Sequence, residues 1–130
     1  MIDKIALLYM RDGKILTTRS IGKDAYYFPG GKREGTESDL ETLTREIREE
    51  LSVDILPDTV QYYGTFQAQA HGKAEGVIVQ MTCYTADFAG TLTPDNEIAE
   101  ILWITSAAAD SVSPVDKNIL ADLKGKGLIE

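Results

Sequence analysis

The alternation of apolar and polar positions divides the chain into strands, two helices and a glycine-rich loop. Two strand-like runs, KIALLYM and KILTTRS, flank Arg11-Asp12-Gly13. An Asp-Gly pair between apolar runs predicts a β-hairpin. Residues 21–37 then read as a loop because they hold five of the chain's glycines and prolines, although AYYF inside them could form a brief strand.

A helix is predicted over residues 38–51. Ser38, followed three residues later by Glu41, has the form of a capping box that starts a helix. The apolar residues that follow are spaced by three, four and four positions, and they are Leu40, Leu43, Ile47 and Leu51. At about 100° per residue they form one apolar stripe, which we expect to pack against the core.

The second half of the chain predicts more strands and one further helix. VQYYGTFQA and GVIVQMTCYTADF are strand-like, the latter alternating through Val77, Val79, Met81 and Cys83, and EIAEILWI is a shorter strand. A helical turn at SAAAD precedes a helix over residues 114–124, with proline at its first position. The order of elements predicts an α+β fold in which a mixed β-sheet is sandwiched between helices, as a single domain over residues 1–130.

Composition and charge narrow the functional classes. The net charge of −8 argues against a nucleic acid polymer as partner, because such binding depends on Lys and Arg. No stretch approaches the roughly 20 apolar residues of a membrane span, so we expect no membrane partner. The single cysteine excludes an internal disulfide and is typical of a cytoplasmic protein. Small phosphate substrates remain compatible with an acidic site that holds a divalent cation.

Three glutamates crowd the end of the first predicted helix. Glu46, Glu49 and Glu50 lie at positions i, i+3 and i+4, where like charges repel one another and oppose the helix dipole. One interpretation is a solvated charged face, balanced in part by Arg45. The other is a site for a divalent cation, and the preceding Gly30-Gly31 pair, which permits close backbone approach to a ligand, favours it.

These residues resemble the Nudix box of the Nudix hydrolases. In the match, Gly31 is followed after five intervening residues by Glu37. After seven more intervening residues comes the run Arg45-Glu46-Ile47-Arg48-Glu49-Glu50-Leu51-Ser52-Val53. It covers residues 31–53, and every specified position agrees except the last glycine, which is Ser52 here. A left-handed residue often ends a helix at that point, so we expect Ser52 to cost on the order of 1 kcal/mol or the helix to end differently.

The resemblance implies Mg²⁺-dependent hydrolysis, with Mn²⁺ as a substitute, of a nucleoside diphosphate linked to a further group. It implies that the metal is bound by the backbone of Gly31 and by the side chains of Glu46, Glu49 and Glu50. Glu46 is also a candidate base for the attacking water. Arg45 would hold a catalytic glutamate and Glu37 would brace the loop. Family members often use a further acid after the box, for which Glu100 is the first candidate and Glu97 the second.

Substrate recognition is less well specified by the sequence. The cations nearest the loop are Arg19, Lys23 and Lys32, and Tyr26, Tyr27 and Phe28 could stack on a base or fill the core. Of these, we expect Arg19, Lys32 and Tyr27 to contact substrate. His71 reads as a loop residue, and Cys83 and Trp103 read as core residues.

The region after the box lacks the marks that the resemblance associates with ADP-ribose and dinucleoside polyphosphate subgroups. This absence favours a MutT-like nucleoside triphosphate pyrophosphohydrolase that releases a nucleoside monophosphate and pyrophosphate. The alternatives are hydrolysis of ADP-ribose, a nucleotide sugar or another diphosphate, and a non-catalytic module that senses a nucleotide. Either a monomer or a homodimer is compatible with the sequence.

Overall fold

Nine strands and two α-helices make up the computed structural model, which describes residues 1–130. The strands are β1 (Ile2–Leu7), β2 (Met10–Arg11), β3 (Lys14–Ser20), β4 (Gly30–Lys32), β5 (Asp54–Ile55), β6 (Gln61–Gln69), β7 (Ile78–Thr85), β8 (Phe88–Ala89) and β9 (Ile98–Ile104). The helices are α1 (Asp39–Leu51) and α2 (Pro114–Gly125), and short 3₁₀ turns occur at Pro57–Thr59 and Ser106–Ser111. Neither helix combines the length and apolarity that crossing a membrane requires.

The strands form three sheets. The largest has the order β4-β1-β7-β6, in which β1 runs parallel to β7 and the other pairs are antiparallel. A second sheet has the order β2-β3-β9, and β5 pairs with β8 alone. The α+β class with a mixed sheet, predicted from the sequence, is therefore confirmed.

The main sheet lies between the two helices, as its side chains show. Ile5 and Leu7 of β1 join the apolar cluster formed by α1, whereas Ala6 joins the cluster formed by α2. Because successive side chains of a strand point to opposite faces, this division places α1 on one face and α2 on the other. The alternating strand predicted around Cys83 supplies the α2 side, and the Cys83 side chain is fully buried.

The local signals that start α1 are confirmed. The Ser38 hydroxyl accepts from the Glu41 amide at 3.1 Å, and the Glu41 carboxylate accepts from the Ser38 amide at 2.9 Å. Leu43, Ile47 and Leu51 of the predicted stripe are fully buried. Leu40 is not, since 39% of it is exposed, and the prediction that it packs in the core was wrong. It lies in the first turn of α1.

Ser52 ends α1 in the left-handed conformation, with φ 61° and ψ 28°. Its amide donates to the Arg48 carbonyl at 3.1 Å. The helix thus ends as a glycine would end it, and the serine carries the conformational cost, on the order of 1 kcal/mol.

The Asp12-Gly13 turn exists, but the hairpin is shorter than predicted. Both residues have positive φ, 55° and 77°, and they connect β2 to β3. The first apolar run is divided, because β1 leaves to pair with β4 and β7 in the main sheet. In the loop predicted for residues 21–37, the AYYF stretch forms only isolated bridges at Tyr26 and Tyr27, and the regular strand is β4.

Candidate active site

The two glycines of β4 allow close contacts that a side chain would prevent. Gly30 lies against the backbone of β1, and Gly31 lies against the Glu46 side chain of α1. Gly30 has φ +145°, and a Cβ there would lie 2.0 Å from the Ile5 carbonyl oxygen, so only glycine fits beside β1. At Gly31 a Cβ would lie 2.5 Å from the carboxyl carbon of Glu46. The absence of a side chain at Gly31 therefore makes the space that the Glu46 carboxylate occupies.

Glu50 is the most buried carboxylate of α1. Only 8% of the residue is exposed, and its Oε1 accepts from the Gly30 amide at 3.1 Å. Burial raises the pKa of Glu50 to about 8, and the negative charges of Glu46, Glu97 and Glu49 add to the rise. A buried carboxylate with acidic neighbours and no cation beside it is the configuration that a bound metal would relieve.

Arg45 connects the helix carboxylates to the loop before α1. Its guanidinium donates to Glu37 Oε2 at 2.8 Å, to Glu46 Oε1 at 2.8 Å and to the Lys32 carbonyl at 3.0 Å, and it lies 3.4 Å from Glu49 Oε2. The hydrogen bonds from Arg45, supported by the Glu34 amide, lower the pKa of Glu37 to about 2. The Arg45 guanidinium is thus shared among the carboxylates of Glu34, Glu37, Glu46 and Glu49, and its hydrogen bond orients Glu46.

The carboxylates of α1 are the type of ligand that a hard divalent cation prefers. No three of them are close enough together in this structure to coordinate one ion. Glu46, Glu49 and Glu50 supply oxygen donors, which Mg²⁺ prefers. The bare backbone at Gly31 leaves space beside them. In this structure Glu46 is turned toward Arg45 and Glu50 toward the Gly30 amide, so binding a cation would require these side chains to reorient.

A cleft of about 980 Å³ opens beside these residues. Gly30, Gly31 and Glu50 lie on its wall. The other charged or polar side chains that line it are Lys4, Thr18, Ser20, Lys23, Asp24, Tyr27, His71, Lys73, Asp110 and Ser111. A smaller cavity of about 100 Å³ adjoins it and shares Lys4, Tyr27, His71 and Lys73. The two cavities are therefore lined by four lysines, Lys4, Lys23, Lys32 and Lys73, as well as by Glu50.

The predicted substrate residues occupy different positions. Tyr27 lines both cavities, and Lys32 lines the smaller one. Arg19 lines neither, and its Nε donates to Glu100 Oε1 at 2.6 Å. Lys4, which the sequence reasoning missed, lines both, and its Nζ lies 5.9 Å from the centre of the Tyr27 ring. The sequence feature that could have identified Lys4 is its place in β1 between Ile2 and Ala6, two apolar residues on the same face of the strand.

The two candidates for a further acid differ in their surroundings. Glu100 faces Arg19 across the β3–β9 ladder and is ion-paired with it. Glu97 precedes β9 in an exposed turn, and its charge raises the pKa values of Glu46 and Glu50. Glu97 is thus the one that is electrostatically coupled to the carboxylates of α1.

Asp116 is a buried carboxylate that the sequence reasoning did not single out. It lies in the first turn of α2 with no exposed surface, and its Oδ2 accepts from the Phe28 amide at 3.3 Å. Its Oδ1 has no partner. Burial raises the pKa of Asp116 to about 7. The detectable signal was an aspartate within the buried stripe that contains Val115 and Ile119.

The remaining aromatic, histidine and cysteine candidates are mostly structural. Phe28 is buried in the α2 cluster, and Trp103 is half-buried against the α1 cluster, so both contribute to packing. His71 is an exposed loop residue, as predicted, although it lies at the rim of both cavities. Cys83 is buried, and burial raises the pKa of its thiol.

Comparison with known proteins gives a consistent result. The family model described as NUDIX domain matches residues 3–123. The CTP pyrophosphohydrolase of Escherichia coli (strain K12) is 31% identical over 113 residues, which cover 84% of this chain and 79% of that protein. The solution structure of the E. coli ORF135 protein has a TM-score of 0.74 at 31% identity, covering 97% of this chain and 92% of that one. The MutT protein of Methanosarcina mazei Go1 shares the fold, with a TM-score of 0.77 at 16% identity over 96% of this chain and 94% of that one.

Proposed function

This chain belongs to the Nudix family of pyrophosphohydrolases, and from that premise we propose that it hydrolyses a nucleoside triphosphate, with Mg²⁺, to a nucleoside monophosphate and pyrophosphate. One observation carries the proposal. The Glu46 carboxylate lies against Gly31 and the Glu50 carboxylate against the Gly30 amide, and Gly30, Gly31 and Glu50 line a large cleft that is also lined by Lys4, Lys23 and Lys73. Carboxylates attract the cation, and cation and lysines together attract the phosphates.

Glu46, Glu49 and Glu50 would hold the cation, and the Gly31 backbone would approach it. When bound, Mg²⁺ neutralises phosphate charge and lowers the pKa of a coordinated water. Mn²⁺ has the same preference for oxygen donors and would substitute for it. Glu50 would turn from the Gly30 amide to bind the cation, and exposed Glu49 is free to adjust to it.

Glu46 is the base in the proposed reaction. The water oxygen attacks one phosphorus, the bond to the bridging oxygen breaks, and the proton of the water passes to the Glu46 carboxylate. Burial raises the pKa of Glu46, which makes it a stronger base than an exposed glutamate. Arg45 holds the Glu46 carboxylate in place by a hydrogen bond. Two nitrogens of the Arg45 guanidinium donate to the Glu37 carboxylate, which in turn holds Arg45 in place.

Glu97 is the better candidate for the further acid, in place of our first choice from the sequence. Glu100 would have to release Arg19 before it could serve the site, since the two are joined at 2.6 Å. Glu97 has no such partner, and its charge already acts on Glu46 and Glu50. For the same reason, Arg19 is a weaker candidate for binding phosphate than Lys4 or Lys32.

The nucleoside would lie in the part of the cleft lined by Tyr27. A tyrosine ring offers a face for stacking on any base, and stacking is sequence-tolerant. Lys4, Lys23, Lys32 and Lys73 would meet the phosphates and the sugar edge, because they are the cations that line the two cavities. The relative that is 31% identical acts on CTP, so cytosine nucleotides come first among the substrates to be tested.

The test is a phosphate-release screen of the full chain with Mg²⁺ and then with Mn²⁺. The panel holds CTP and the other standard nucleoside triphosphates, oxidised triphosphates, ADP-ribose, nucleotide sugars and dinucleoside polyphosphates, and each product is identified. Release of pyrophosphate and monophosphate from a triphosphate supports the proposal. Preference for a diphosphate conjugate would show that the substrate is not a triphosphate. Tight nucleotide binding without turnover would show that the chain is a nucleotide-sensing module and not an enzyme.

A further inference from the structure

The turn that precedes β9 is attached to the end of α1, and we infer that Asn96 is a positioning residue that holds Glu97 beside the carboxylates of that helix. This inference rests on the proposed function, because it assigns Asn96 a role in the same site. It concerns the side-chain amide of Asn96, which none of the sequence patterns singled out. Asn96 touches neither substrate nor reacting atoms, and it acts through the backbone next to Glu97.

The attachment satisfies carbonyls that a helix leaves without partners at its C-terminal end. Asn96 Nδ2 donates to the Glu49 carbonyl at 2.7 Å. The Asp95 amide donates to the Glu50 carbonyl at 3.0 Å, and the Thr93 amide donates to the Leu51 carbonyl at 2.9 Å. Two of these contacts come from the backbone, and the link nearest Glu97 comes from a side chain.

The backbone at Asn96 is also unusual. Its φ is 52°, a left-handed conformation that asparagine tolerates better than most residues. Its amide donates to Asp95 Oδ1 at 2.7 Å, and the Ile98 amide closes the turn by donating to the Asp95 carbonyl at 3.0 Å. The carbonyl of Glu97 accepts from the Ile21 amide at 2.7 Å. Both the conformation and the amide link thus fix the direction in which the loop runs from the end of α1 into β9.

The result is a fourth negative charge brought to a cluster of three. Glu97 follows Asn96 directly, and the hydrogen bonds of Asn96 and Asp95 to the Glu49 and Glu50 carbonyls place its backbone at the end of α1 that carries the glutamates. In agreement, the charge of Glu97 raises the pKa values of Glu46 and Glu50. Glu97 is exposed and could be directed into solvent at no cost. A turn that instead holds it near other carboxylates makes sense if those carboxylates share a cation.

The opposing interpretation is that Asn96 only caps α1, and Mn²⁺ affinity distinguishes the two. Asn96→Gly keeps the left-handed conformation accessible and removes the amide, and Asn96→Asp replaces the donor by a charged acceptor that cannot bond the Glu49 carbonyl. We expect each to weaken Mn²⁺ binding, measured by electron paramagnetic resonance on the nucleotide-free protein, by about tenfold, as for loss of a residue that orients a ligand. kcat should fall with it, while KM for the nucleotide changes little.

Glu97→Gln and the double variant Asn96→Gly/Glu97→Gln complete a cycle. If Asn96 acts through Glu97, the double variant binds Mn²⁺ no more weakly than Glu97→Gln alone. Thr93→Ala is the matched control, because it removes a hydrogen bond from the same loop, Thr93 Oγ1 to the Thr91 carbonyl at 3.0 Å, and leaves Asn96 in place. It should bind Mn²⁺ like the wild type.

Three results would overturn the inference: wild-type Mn²⁺ affinity in both Asn96 variants, additive losses in the double variant, or an equal loss in Thr93→Ala. Melting temperatures of all variants show whether the loop or the whole fold has been disturbed. If the wild type binds Mn²⁺ but hydrolyses no member of the substrate panel, the proposed function fails. The binding cycle still decides the role of Asn96 in that case.

Discussion

The Glu46 carboxylate occupies the space that a side chain at Gly31 would fill, with 2.5 Å between its carboxyl carbon and the position of a Cβ. Gly31→Ala should therefore displace Glu46 from the site. The backbone at Gly31 does not have positive φ, so alanine itself is not strained there. We expect kcat to fall by about 10²-fold, the loss associated with misplacing a reacting group by 1 Å, with little change in melting temperature.

Two other glycines serve as controls for that substitution. Gly125→Ala meets nothing within 4 Å and should leave activity unchanged, with a melting temperature equal to or above that of the wild type because alanine favours the helix. Gly30→Ala meets the Ile5 carbonyl oxygen at 2.0 Å and should instead lower the melting temperature strongly. If Gly31→Ala retained full activity, Glu46 would not be needed in its present position.

Arg45→Lys should behave as a loss of function despite the retained charge. The guanidinium contacts Glu37, Glu46 and the Lys32 carbonyl at once, which a single ammonium group cannot do. We expect kcat to fall by about tenfold or more and Mg²⁺ affinity to weaken, as for loss of residues that orient metal ligands. Steady-state kinetics over a Mg²⁺ titration measure both. Arg48→Lys, at an exposed ion pair with Asp54, is the control, and an equal effect there would contradict the assignment.

Glu50→Gln should separate activity from stability. Losing a metal ligand should reduce kcat by orders of magnitude. Glutamine cannot ionise, and burial and acidic neighbours already disfavour the ionised form of Glu50, so the metal-free variant should be at least as stable as the wild type. Glu49→Gln should also lose activity, with a smaller effect on stability because Glu49 is exposed. Melting curves of the wild type should shift upward with Mg²⁺, by about 2.7 kcal/mol of unfolding free energy at 100 times the Kd.

Both variants should lose most of that Mg²⁺-dependent shift. A variant that kept the full shift, or that turned over nucleotide at the wild-type rate, would remove that residue from the metal site. Melting temperatures without added cation provide the reference for each protein.

Asp116→Asn should stabilise the protein, and more so as the pH rises. The pKa of Asp116 is raised to about 7 in the fold, above its ordinary value of 3.8, so the folded state holds its proton more tightly than the unfolded state does. The wild type therefore loses stability from this group between about pH 4 and pH 7, and the loss is complete above pH 7. Asparagine does not ionise and presents a donor as the protonated acid does.

The stability difference between the two proteins should approach zero below pH 4 and reach as much as about 4 kcal/mol above pH 7. Urea unfolding at a series of pH values measures it. A difference that stays constant with pH, or that decreases as the pH rises, would show that Asp116 is not held protonated by its surroundings.

Glu97→Gln should lower kcat more than Glu100→Gln does. Glu97 acts electrostatically on Glu46 and Glu50, whereas the Glu100 carboxylate is bound to Arg19 on the neighbouring strand. We expect Glu100→Gln to affect mainly the melting temperature, by the small amount typical of a partly exposed ion pair. Parallel kinetics and melting curves compare the two, and the reverse order of kcat values would restore Glu100 as the further acid.

Signals close together in the sequence were sufficient to predict α1 and its glutamates. The Ser38–Glu41 capping box, the buried Leu43 and Ile47, and the spacing from Gly31 to Glu50 all depend on contacts within one helix and the loop before it. Such local rules do not require knowledge of which strand lies beside which. The class of fold followed from the order of elements for the same reason.

Contacts between distant segments were the ones that sequence reasoning missed. The ion pair between Arg19 and Glu100 depends on the register of β3 with β9, which the strand patterns do not specify. Lys4 reaches the cleft because β1 lies inside the main sheet, and Asp116 is buried because α2 packs over Phe28. Each depends on a pairing across many residues, and a single sequence does not reveal it.

The parallel pairing of β1 with β7 has a consequence for the order of events in folding. One edge of β1 (Ile2–Leu7) has no hydrogen-bonding partner until β7 (Ile78–Thr85) is available to pair with it. A contact of such long range carries a high entropic cost before it contributes stability, which slows folding. During synthesis β1 leaves the ribosome long before β7, and until β7 follows only β4 can pair with it. We therefore expect α1 to form early on an incomplete sheet, and the cleft to acquire its shape only after β7 and residues 110–112 have been added.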